Sequence, residues 1–265
     1  MITCFGTITR DILELGGKKE IKLGGAPFFF SKVCKNLNLN YGIVSKIGTI
    51  ELKENKELFD CRGLQICDET TTLHIKEEED ISCAIISRNT ELDITLVPKE
   101  LLAPDILFLS PLFDEVQPSM FEKKSVLALD LQGFMRDKNK KFLKESWKKK
   151  PENLDGLLKH IDILKLNEVE SDIIFPGLSV EEKLKRFVEI GPKIVIITLG
   201  GKGAAIISEN KIFKFTPRKT IITNTVGAGD TFFASFLVTF NKTKDVTESM
   251  RFALDYTSDF LEGKK

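Results

Sequence analysis

The chain has 265 residues, 42% hydrophobic and 29% charged, with 39 Lys and Arg residues balancing 39 Asp and Glu residues. This indicates one large globular domain, or one domain with a small appendage, and the zero net charge gives no reason to expect nucleic acid or an acidic membrane as a partner. The five cysteines form no CxxC pair and there are two histidines, which argues against a disulfide framework, a zinc site or a histidine-based triad.

The N-terminal sequence, MITCFGTITRD, lacks the basic start and long apolar core of a signal peptide. No apolar run approaches the roughly 20 residues that a membrane span requires. We therefore expect a cytoplasmic protein.

The first predicted elements are a strand at residues 2–6, a helix at 27–38 with Pro27 in its first turn, and a strand at 41–48. Between the first two, residues 12–23 alternate at period two around a Gly-Gly pair, which is typical of a hairpin. Residues 64–87 indicate further short, half-exposed strands. Together these two segments predict a small antiparallel flap beside the main sheet; the alternative is an ordinary edge hairpin.

Further along, nearly continuous apolar runs at 105–110, 125–131, 162–167 and 193–200 predict strands that are covered on both faces. Helix-compatible stretches lie among them at 141–149 and 179–190, and Ser179 with Glu182 forms a capping-box pattern. We interpret the Lys-rich stretch 138–150 as a solvated helix face. Strands that alternate with helices predict a doubly wound α/β domain with a largely parallel sheet.

Residues 224–240, NTVGAGDTFFASFLVTF, place small residues before an acid and then become apolar. Glycines leave N–H groups accessible, and a helix that begins here would add free N–H groups and its positive dipole end, which together suit a phosphate. Asp230 lies where its carboxylate can meet a substrate hydroxyl. Because it lies at a helix start, we expect this carboxylate to stay ionised and to be only a weak base. Weak basicity is tolerable, since in phosphoryl transfer the base mainly orients the hydroxyl. The alternative is that Asp230 only caps the helix.

The string NTVGAGDTFFASF resembles the C-terminal signature of the PfkB/ribokinase family of carbohydrate kinases. GGAP at 24–27, NEVE at 167–170, TLGGKG at 198–203 and the closing segment 248–263 resemble further family motifs, in the family's order. The resemblance runs from about residue 2 to 263. It implies a ribokinase-like fold: one kinase domain, residues 1–265, with a doubly wound central sheet and a small antiparallel flap, or lid, from segments of approximately 12–23 and 64–87.

The resemblance also implies roles for individual residues. Gly227, Ala228 and Gly229 would form an anion hole, with Asp230 as the catalytic base. The nucleotide would be bound by Asn167, Glu170, Thr198, Gly200 and Gly203, with Glu170 acting on magnesium through water. On the acceptor side the candidates are Asp11, the flap hinge Gly24-Gly25, and Gln132 and Arg136 from the segment DLQGFMR.

Each of these residues has a simpler interpretation. Asn167 could cap a helix, and Gly24-Gly25 could allow a tight turn. Asp11 could be a solvated loop acid, and Arg136 could pair with a surface acid. Thr198 and Gly200 could belong to an ordinary exit from a strand.

The sequence departs from the family pattern at two places. Asn224 stands where the motif usually has Asp, an acid that in many members contributes to a monovalent-cation site, so the sequence does not predict potassium activation. Residues 28–30 are all Phe where sugar kinases commonly place a substrate-binding Asn, and most of these aromatics are expected in the core. GGAPFFFSK and DLQGFMR are similar to a subgroup that includes inositol kinases and archaeal kinases.

The resemblance therefore predicts magnesium-dependent transfer of the ATP γ-phosphoryl group to a hydroxyl of a small polyol: a sugar, an inositol or a nucleoside. One alternative is a non-catalytic nucleotide- or sugar-binding sensor of the same fold. Another is a vitamin-type kinase for pyridoxal or hydroxymethylpyrimidine, whose relatives usually lack the lid. The exposed edges of the flap strands allow a homodimer, with a monomer as the alternative.

Overall fold

The computed structural model describes residues 1–15, 17–77, 81–122, 124–137, 142–143, 148–223 and 225–265. The strands are β1 (Ile2–Gly6), β2 (Thr9–Leu15), β3 (Lys18–Gly24), β4 (Tyr41–Gly48), β5 (Leu64–Cys67), β6 (Thr71–Glu77), β7 (Ile81–Ser87), β8 (Ile106–Ser110), β9 (Val126–Asp130), β10 (Phe142–Leu143), β11 (Ile163–Asn167), β12 (Ile194–Thr198), β13 (Ala204–Ser208) and β14 (Lys211–Phe215). The helices are α1 (Ala26–Asn36), α2 (Thr49–Asn55), α3 (Lys99–Leu102), α4 (Leu154–Leu158), α5 (Glu168–Ile174), α6 (Val180–Ile190), α7 (Ala228–Thr243) and α8 (Val246–Leu261).

The large sheet has nine strands in the order β14-β13-β12-β11-β9-β8-β1-β4-β5. Pairing is parallel from β12 to β5, while β13 and β14 add an antiparallel edge. The predicted doubly wound, largely parallel sheet is confirmed. From β1 the chain builds outward through β4 on one side and through β8 on the other, so the carboxyl ends of β1 and β8 border the crevice where open α/β sheets bind ligands.

Two apolar layers cover the two faces of this sheet. On one face α1, α7 and α8 pack over the strands, with Phe30, Phe108 and Phe233 among the fully buried side chains. The Phe108 and Phe233 rings meet edge-on at 5.1 Å between centroids. The other face is covered by α6, which buries Leu184 and Phe187. This burial on both faces explains why the strands are continuously apolar rather than alternating.

The second sheet has five strands in the order β10-β7-β6-β2-β3. The predicted hairpin is formed by β2 and β3, with Ile12 opposite Ile21. β6–β7 and β7–β10 are also antiparallel, whereas β2 and β6 run parallel. Of the predicted flap segment 64–87, the first part belongs elsewhere: β5 pairs with β4 at the edge of the large sheet.

Local capping signals fix where two of the helices begin. Ser179 and Glu182 form both bonds of a capping box at α6, as the sequence predicts, and Asn167 and Glu170 form another at α5. The predicted helix at 141–149 is not found in its described part, because Phe142 and Leu143 form β10; residues 141 and 144–147 lie outside the described residues. Across the described ranges, every helix is too short or too polar to cross a membrane.

Candidate active site

Helix α7 begins at the glycine-rich turn that the sequence singles out. Gly227 is its N-cap, with a φ of 82°, and the Ala228 N–H donates to the Thr225 carbonyl at 3.1 Å. Asp230 therefore lies in the first turn, and the interpretation of Asp230 as the N-cap is wrong. The Gly229 and Asp230 N–H groups occupy helix positions that have no intrahelical acceptor, so the start of α7 offers donors to an anion.

The turn at Gly227 rests on an aromatic ring from α1. A Cβ at position 227 would lie 2.0 to 2.4 Å from three ring atoms of Phe29, so only glycine fits. Phe29 and Phe30 are buried, as expected for this aromatic run, and the Phe29 ring packs against the glycine-rich turn. The segments GGAPFFF and GAGD, which are far apart in sequence, thus form one structural unit.

The carboxyl of Asp230 has a strongly perturbed pKa. Burial raises the pKa of its carboxyl to about 7; the nearby Asp130 and Asp11 add to the rise, and Lys165 and Arg136 oppose it. The expectation of an ordinary, weakly basic carboxylate is wrong, because it considered only the helix start and not these neighbours. With a pKa of about 7, Asp230 is a much stronger base and still holds a large ionised fraction near neutral pH.

Lys165 and Asp130 form a buried ion pair next to this turn. The Lys165 Nζ donates to Asp130 Oδ2 at 2.7 Å, and the two residues are opposite one another in neighbouring strands β11 and β9. A Cβ added at Gly229 would lie 3.2 Å from the Lys165 Nζ, so this ammonium faces the start of α7. Burial alone would lower the pKa of Lys165, but Asp130, Glu170 and Asp230 together raise it, so the side chain stays charged.

Sequence reasoning missed both members of this pair. The available signal was a lysine in the middle of the apolar run DILKLN, since lysine is almost never fully buried unless it is paired.

Asp11 lies inside β2 of the second sheet and is 4% exposed, so the interpretation as a solvated loop acid is wrong. Burial raises the pKa of its carboxyl to about 6, while the neighbouring Thr9 hydroxyl and Arg136 lower it. Its Oδ1 has no hydrogen-bond partner in the described part of the chain. A Cβ at Gly24 would lie 2.0 Å from its Oδ2, so a larger residue at position 24 would displace this carboxylate.

Gln132 and Arg136 connect the end of β9 to Asp230. The Gln132 Nε2 donates to Asp230 Oδ1 at 3.5 Å, and Arg136 donates to Gln132 Oε1 at 3.2 Å and to the Leu112 carbonyl at 3.1 Å. The structure therefore gathers the predicted acceptor-side residues Asp11, Gln132 and Arg136 around the predicted base.

Glu170 and Asn167 lie at the start of α5. Asn167 does cap the helix, accepting from the Glu170 N–H at 2.8 Å, and its own N–H donates to Glu170 Oε2 at 2.9 Å. The other carboxylate oxygen accepts from the Lys148 Nζ at 2.7 Å. Burial alone would raise the pKa of Glu170, but Lys148 and Lys165 outweigh it and lower the pKa. Lys148 is 7% exposed, so within the Lys-rich stretch at least this residue is not on a solvated face.

The remaining predicted nucleotide residues line one cleft of about 730 Å³ beside the start of α7. Thr198, Gly200 and Gly203 line it together with Ala228 and Gly229 at the start of α7. Apolar side chains are added by Ile222 of the loop that precedes α7, by Phe232 of α7, and by Leu254 and Leu261 of α8. Asn167 and Glu170 do not line this cleft.

Within the described residues, no cluster of three or more His, Cys, Asp or Glu side chains could hold a metal ion. Asn224, which replaces the Asp that contributes to a monovalent-cation site in many family members, lies outside the described residues.

Comparison with known proteins agrees with this geometry. A family model described as pfkB family carbohydrate kinase matches residues 24–258. A cytidine kinase of Thermococcus kodakarensis is 25% identical over 276 aligned positions, which cover 98% of this chain and 96% of that enzyme. A stretch of 85 residues is 34% identical to an ATP-dependent 6-phosphofructokinase of Thermoanaerobacterium thermosaccharolyticum; it covers 32% of this chain and 26% of that enzyme.

Two solved structures share the fold. A pyrophosphate-dependent kinase in the ribokinase family, complexed with a pyrophosphate analog and myo-inositol, superposes with a TM-score of 0.82 at 22% identity, covering 98% of this chain and 95% of that one. Arabidopsis thaliana ribokinase, complexed with ribose and ATP, gives 0.78 at 20% identity, covering 100% and 93%. The family match spans most of the chain, and the glycine-rich turn, the acid and the cleft lie together, so this chain belongs to the pfkB family of carbohydrate kinases.

Proposed function

We propose that this protein transfers the γ-phosphoryl group of ATP to a hydroxyl of a small polyol, with Asp230 as the base. The observation that carries the proposal is the position of Asp230, in the first turn of α7 between the cleft that Gly229 borders and the group formed by Asp11, Gln132 and Arg136. A base with a pKa of about 7 at the junction of two binding regions fits proton removal from an acceptor near neutral pH.

The reaction assigns a task to each of these residues. The acceptor oxygen forms a bond to the γ-phosphorus while the bond from that phosphorus to the leaving oxygen of ADP breaks, and the acceptor proton passes to an Asp230 carboxylate oxygen. The free N–H groups at the start of α7 stabilise the charge on the transferred group. Lys165, held by Asp130 and facing Gly229, adds a fixed positive charge beside it.

The cleft supports a nucleotide as the donor. Its volume is about 730 Å³, Gly229 is one of its lining residues, and its apolar side chains suit a base and a ribose. Pyrophosphate, the donor named for one structural neighbour, has no group that would use these apolar side chains. We therefore infer that ATP is a far better donor than pyrophosphate, and comparison of the two with one acceptor tests the inference.

Magnesium is proposed as the cofactor on the chemistry of Glu170. Carboxylate oxygens suit Mg²⁺, which is usually bound by one or two carboxylates together with substrate phosphates. Both Glu170 oxygens already accept hydrogen bonds, so a contact through water fits this residue better than direct ligation. When bound with the donor phosphates, the metal would neutralise part of their charge.

The acceptor is proposed to lie between Asp11 and Asp230. The unpartnered Asp11 Oδ1 is a buried acceptor that a substrate hydroxyl can satisfy, and Arg136 and Gln132 add donors and an acceptor beside it. Two carboxyl groups, a guanidinium and an amide around one region suit a molecule with several hydroxyls, such as a sugar, an inositol or the ribose of a nucleoside.

We further propose that the second sheet acts as a lid. It carries Asp11, and the turn that connects it to α1 contains Gly25, which has a φ of 82° and would bring a Cβ within 2.1 Å of the Thr7 carbonyl. Gly24 and Gly25 are the proposed hinge. Closure over the acceptor would exclude water and limit hydrolysis of ATP.

The deciding experiment is a kinase assay with purified protein, ATP and magnesium on a panel of inositols, pentoses, hexoses, nucleosides, pyridoxal and hydroxymethylpyrimidine. One polyol that is phosphorylated far faster than the rest supports the proposal. Binding of ATP and a polyol without product would favour the sensor, and turnover restricted to the vitamin-type acceptors would favour the third interpretation.

We infer the oligomeric state from the composition of the edge strand β3. Its exposed residues are mostly charged, with Lys18, Lys19, Glu20 and Lys22 beside the exposed Ile21. Charged edge strands resist pairing with a second sheet, so the monomer alternative is favoured over the lid homodimer. Sedimentation equilibrium distinguishes the two.

A further inference from the structure

The Lys148–Glu170 pair is a buried contact that the proposed catalytic steps do not use. The Lys148 Nζ donates to Glu170 Oε1 at 2.7 Å, and the two side chains are 7% and 2% exposed. Most ion pairs on a protein surface contribute little, but a pair so well excluded from water strongly constrains both partners.

The surroundings leave the Glu170 carboxylate no unmatched charge. Its second oxygen accepts from the Asn167 N–H at 2.9 Å, and the adjacent buried ammonium of Lys165 is held by Asp130 at 2.7 Å. The start of α7 is also close to Lys165, because a Cβ at Gly229 would lie 3.2 Å from the Lys165 Nζ. The Glu170 and Asp130 carboxylates are thus each paired with an ammonium group before any metal arrives, next to the Asp230 carboxylate.

We propose that Lys148 is a built-in counter-ion that occupies Glu170 in the nucleotide-free protein and that hydrated magnesium must displace it, so that Lys148 sets the affinity of this site for magnesium. The proposal rests on the magnesium-dependent function proposed above. An ammonium within hydrogen-bond distance neutralises the carboxylate that would attract Mg²⁺ and also repels the cation at short range, where the interaction in a partly buried site is strong.

Loss of the lysine should therefore have two opposite effects. In Lys148→Met the Glu170 carboxylate is left buried without its counter-ion, which destabilises the fold. The same change frees Glu170 Oε1 for hydrated magnesium, so magnesium should restore stability. In the wild-type protein, where Lys148 already fills the position, magnesium alone should stabilise far less.

The test is thermal unfolding without nucleotide or acceptor, in EDTA and across a magnesium titration. We expect Lys148→Met to have a lower Tm than wild type in EDTA, and a magnesium-dependent rise in Tm whose midpoint lies at about tenfold lower magnesium, within the usual range of coupling between two charged sites. Lys148→Gln, which keeps a donor for Glu170 without the charge, should show a smaller gain in magnesium affinity and a smaller loss of stability, and replaces Lys148→Met should that variant fail to fold.

Two controls separate this role from a structural one. Lys183→Met removes another buried lysine, which pairs with Asp172 on α5, and should lose stability without any gain in response to magnesium. The double variant Lys148→Met with Glu170→Gln should lose the magnesium response. An unchanged midpoint in both Lys148 variants, or a response that persists in the double variant, would overturn the proposal. The Tm measurement does not require catalysis. Absence of kinase activity in the wild-type protein would therefore contradict the proposed function, whereas the magnesium response of the Lys148 variants would still test the role of Lys148.

Discussion

At the scale of single residues, two features of the structure restrict position 227 to glycine. Its φ of 82° is strained for any residue with a Cβ, and the Phe29 ring fills the space that a Cβ would occupy. We expect Gly227→Ala to displace the start of α7, and with it the N–H groups and Asp230, and to lower kcat at least 10²-fold, roughly the cost of losing a positioned donor. Steady-state kinetics of the folded variant measure this.

Gly177 provides the matched control for Gly227. It has a similar φ of 77°, yet an added Cβ would meet nothing within 4 Å. Gly177→Ala should cost only the backbone strain of about 1 kcal/mol, with kcat unchanged. Combining Gly227→Ala with Phe29→Ala should recover part of the activity, because the clash is removed. Equal effects of the two glycine variants on kcat would show that contact with Phe29 has no role.

Asp230 should control the pH dependence of the reaction. Its pKa of about 7 means that the carboxyl is mostly protonated at pH 6, so kcat/KM should rise about tenfold per pH unit below pH 7 and level off above it. In Asp230→Asn, kcat should fall about 10²–10⁴-fold and this acid limb should disappear. Measurement of the initial rates from pH 5 to 9 tests both.

The control for Asp230 is Glu248→Gln, which makes the same acid-to-amide change in the first turn of α8, on an exposed residue. Its profile should match that of the wild-type protein. A wild-type rate that is independent of pH between 5 and 7 would contradict the assignment of Asp230 as the base with this pKa.

At the scale of elements, the loop between β14 and α7 lines the proposed nucleotide cleft and is bonded to the end of α8. Arg218 binds both Glu262 oxygens, at 2.6 and 3.0 Å, and Asp259 at 2.8 Å, while Thr223 donates to the Leu261 carbonyl through its N–H and its hydroxyl. A two-pronged guanidinium pair is geometrically specific, which lysine cannot reproduce. We call these contacts of Arg218 and Thr223 the loop tether. The loop tether positions the loop between β14 and α7, and Arg218 need not contact the nucleotide itself.

We expect Arg218→Ala to raise the KM for ATP up to about fivefold, because ion pairs near the surface contribute little free energy, and to leave kcat nearly unchanged. Arg218→Lys should have an intermediate KM. Lys264→Ala removes another cation from Glu262 and serves as the control. A constant KM for ATP in Arg218→Ala, or a fall in kcat instead, would show that the loop tether does not position this loop for nucleotide binding.

Elements whose signals are local could be predicted from the sequence. The capping boxes at α5 and α6 and the β2–β3 hairpin each depend on residues a few positions apart, and the apolar strands follow from burial on both faces. The partner of a buried charge depends instead on which strands become neighbours. Lys165 meets Asp130 only because β11 lies beside β9, and that strand order is not encoded in either segment.

The same limit explains the two errors in the candidate site. The pKa of Asp230 is raised first by burial and then adjusted by Asp130, Lys165, Arg136 and Asp11, which come from separate parts of the chain, so the helix start alone predicts the wrong basicity. Lys148 was hidden in a Lys-rich stretch whose composition suggests solvent, and only the position of Glu170 shows that it is buried. The motif at 227–230 was identifiable because its chemistry is contained in four consecutive residues.

At the scale of the whole molecule, the second sheet and the body are joined through a small apolar cluster. Leu73 of β6 is buried against Leu112 and Phe113, which follow β8, and the partly buried Ile75, Cys83 and Ile85 pack around them. The Arg88 guanidinium lies 4.2 Å from the centre of the Phe113 ring. Since Phe113 is fully buried, this contact sets how firmly the proposed lid rests on the acceptor region.

Phe113→Ala should therefore loosen the second sheet. We expect water to reach the phosphoryl site more often, so the ratio of ATP hydrolysed to acceptor phosphorylated should rise several-fold, and hydrogen exchange should accelerate in β6 and β7. Phe187→Ala is the matched control, because Phe187 is equally buried but packs in the helical layer against Phe175. Both variants lose about 3–5 kcal/mol of side-chain burial where the site cannot collapse, but only the Phe113 variant should uncouple hydrolysis from transfer. An equal ratio of ATP hydrolysed to acceptor phosphorylated in the Phe113 and Phe187 variants would mean that the second sheet does not shield the reaction from water.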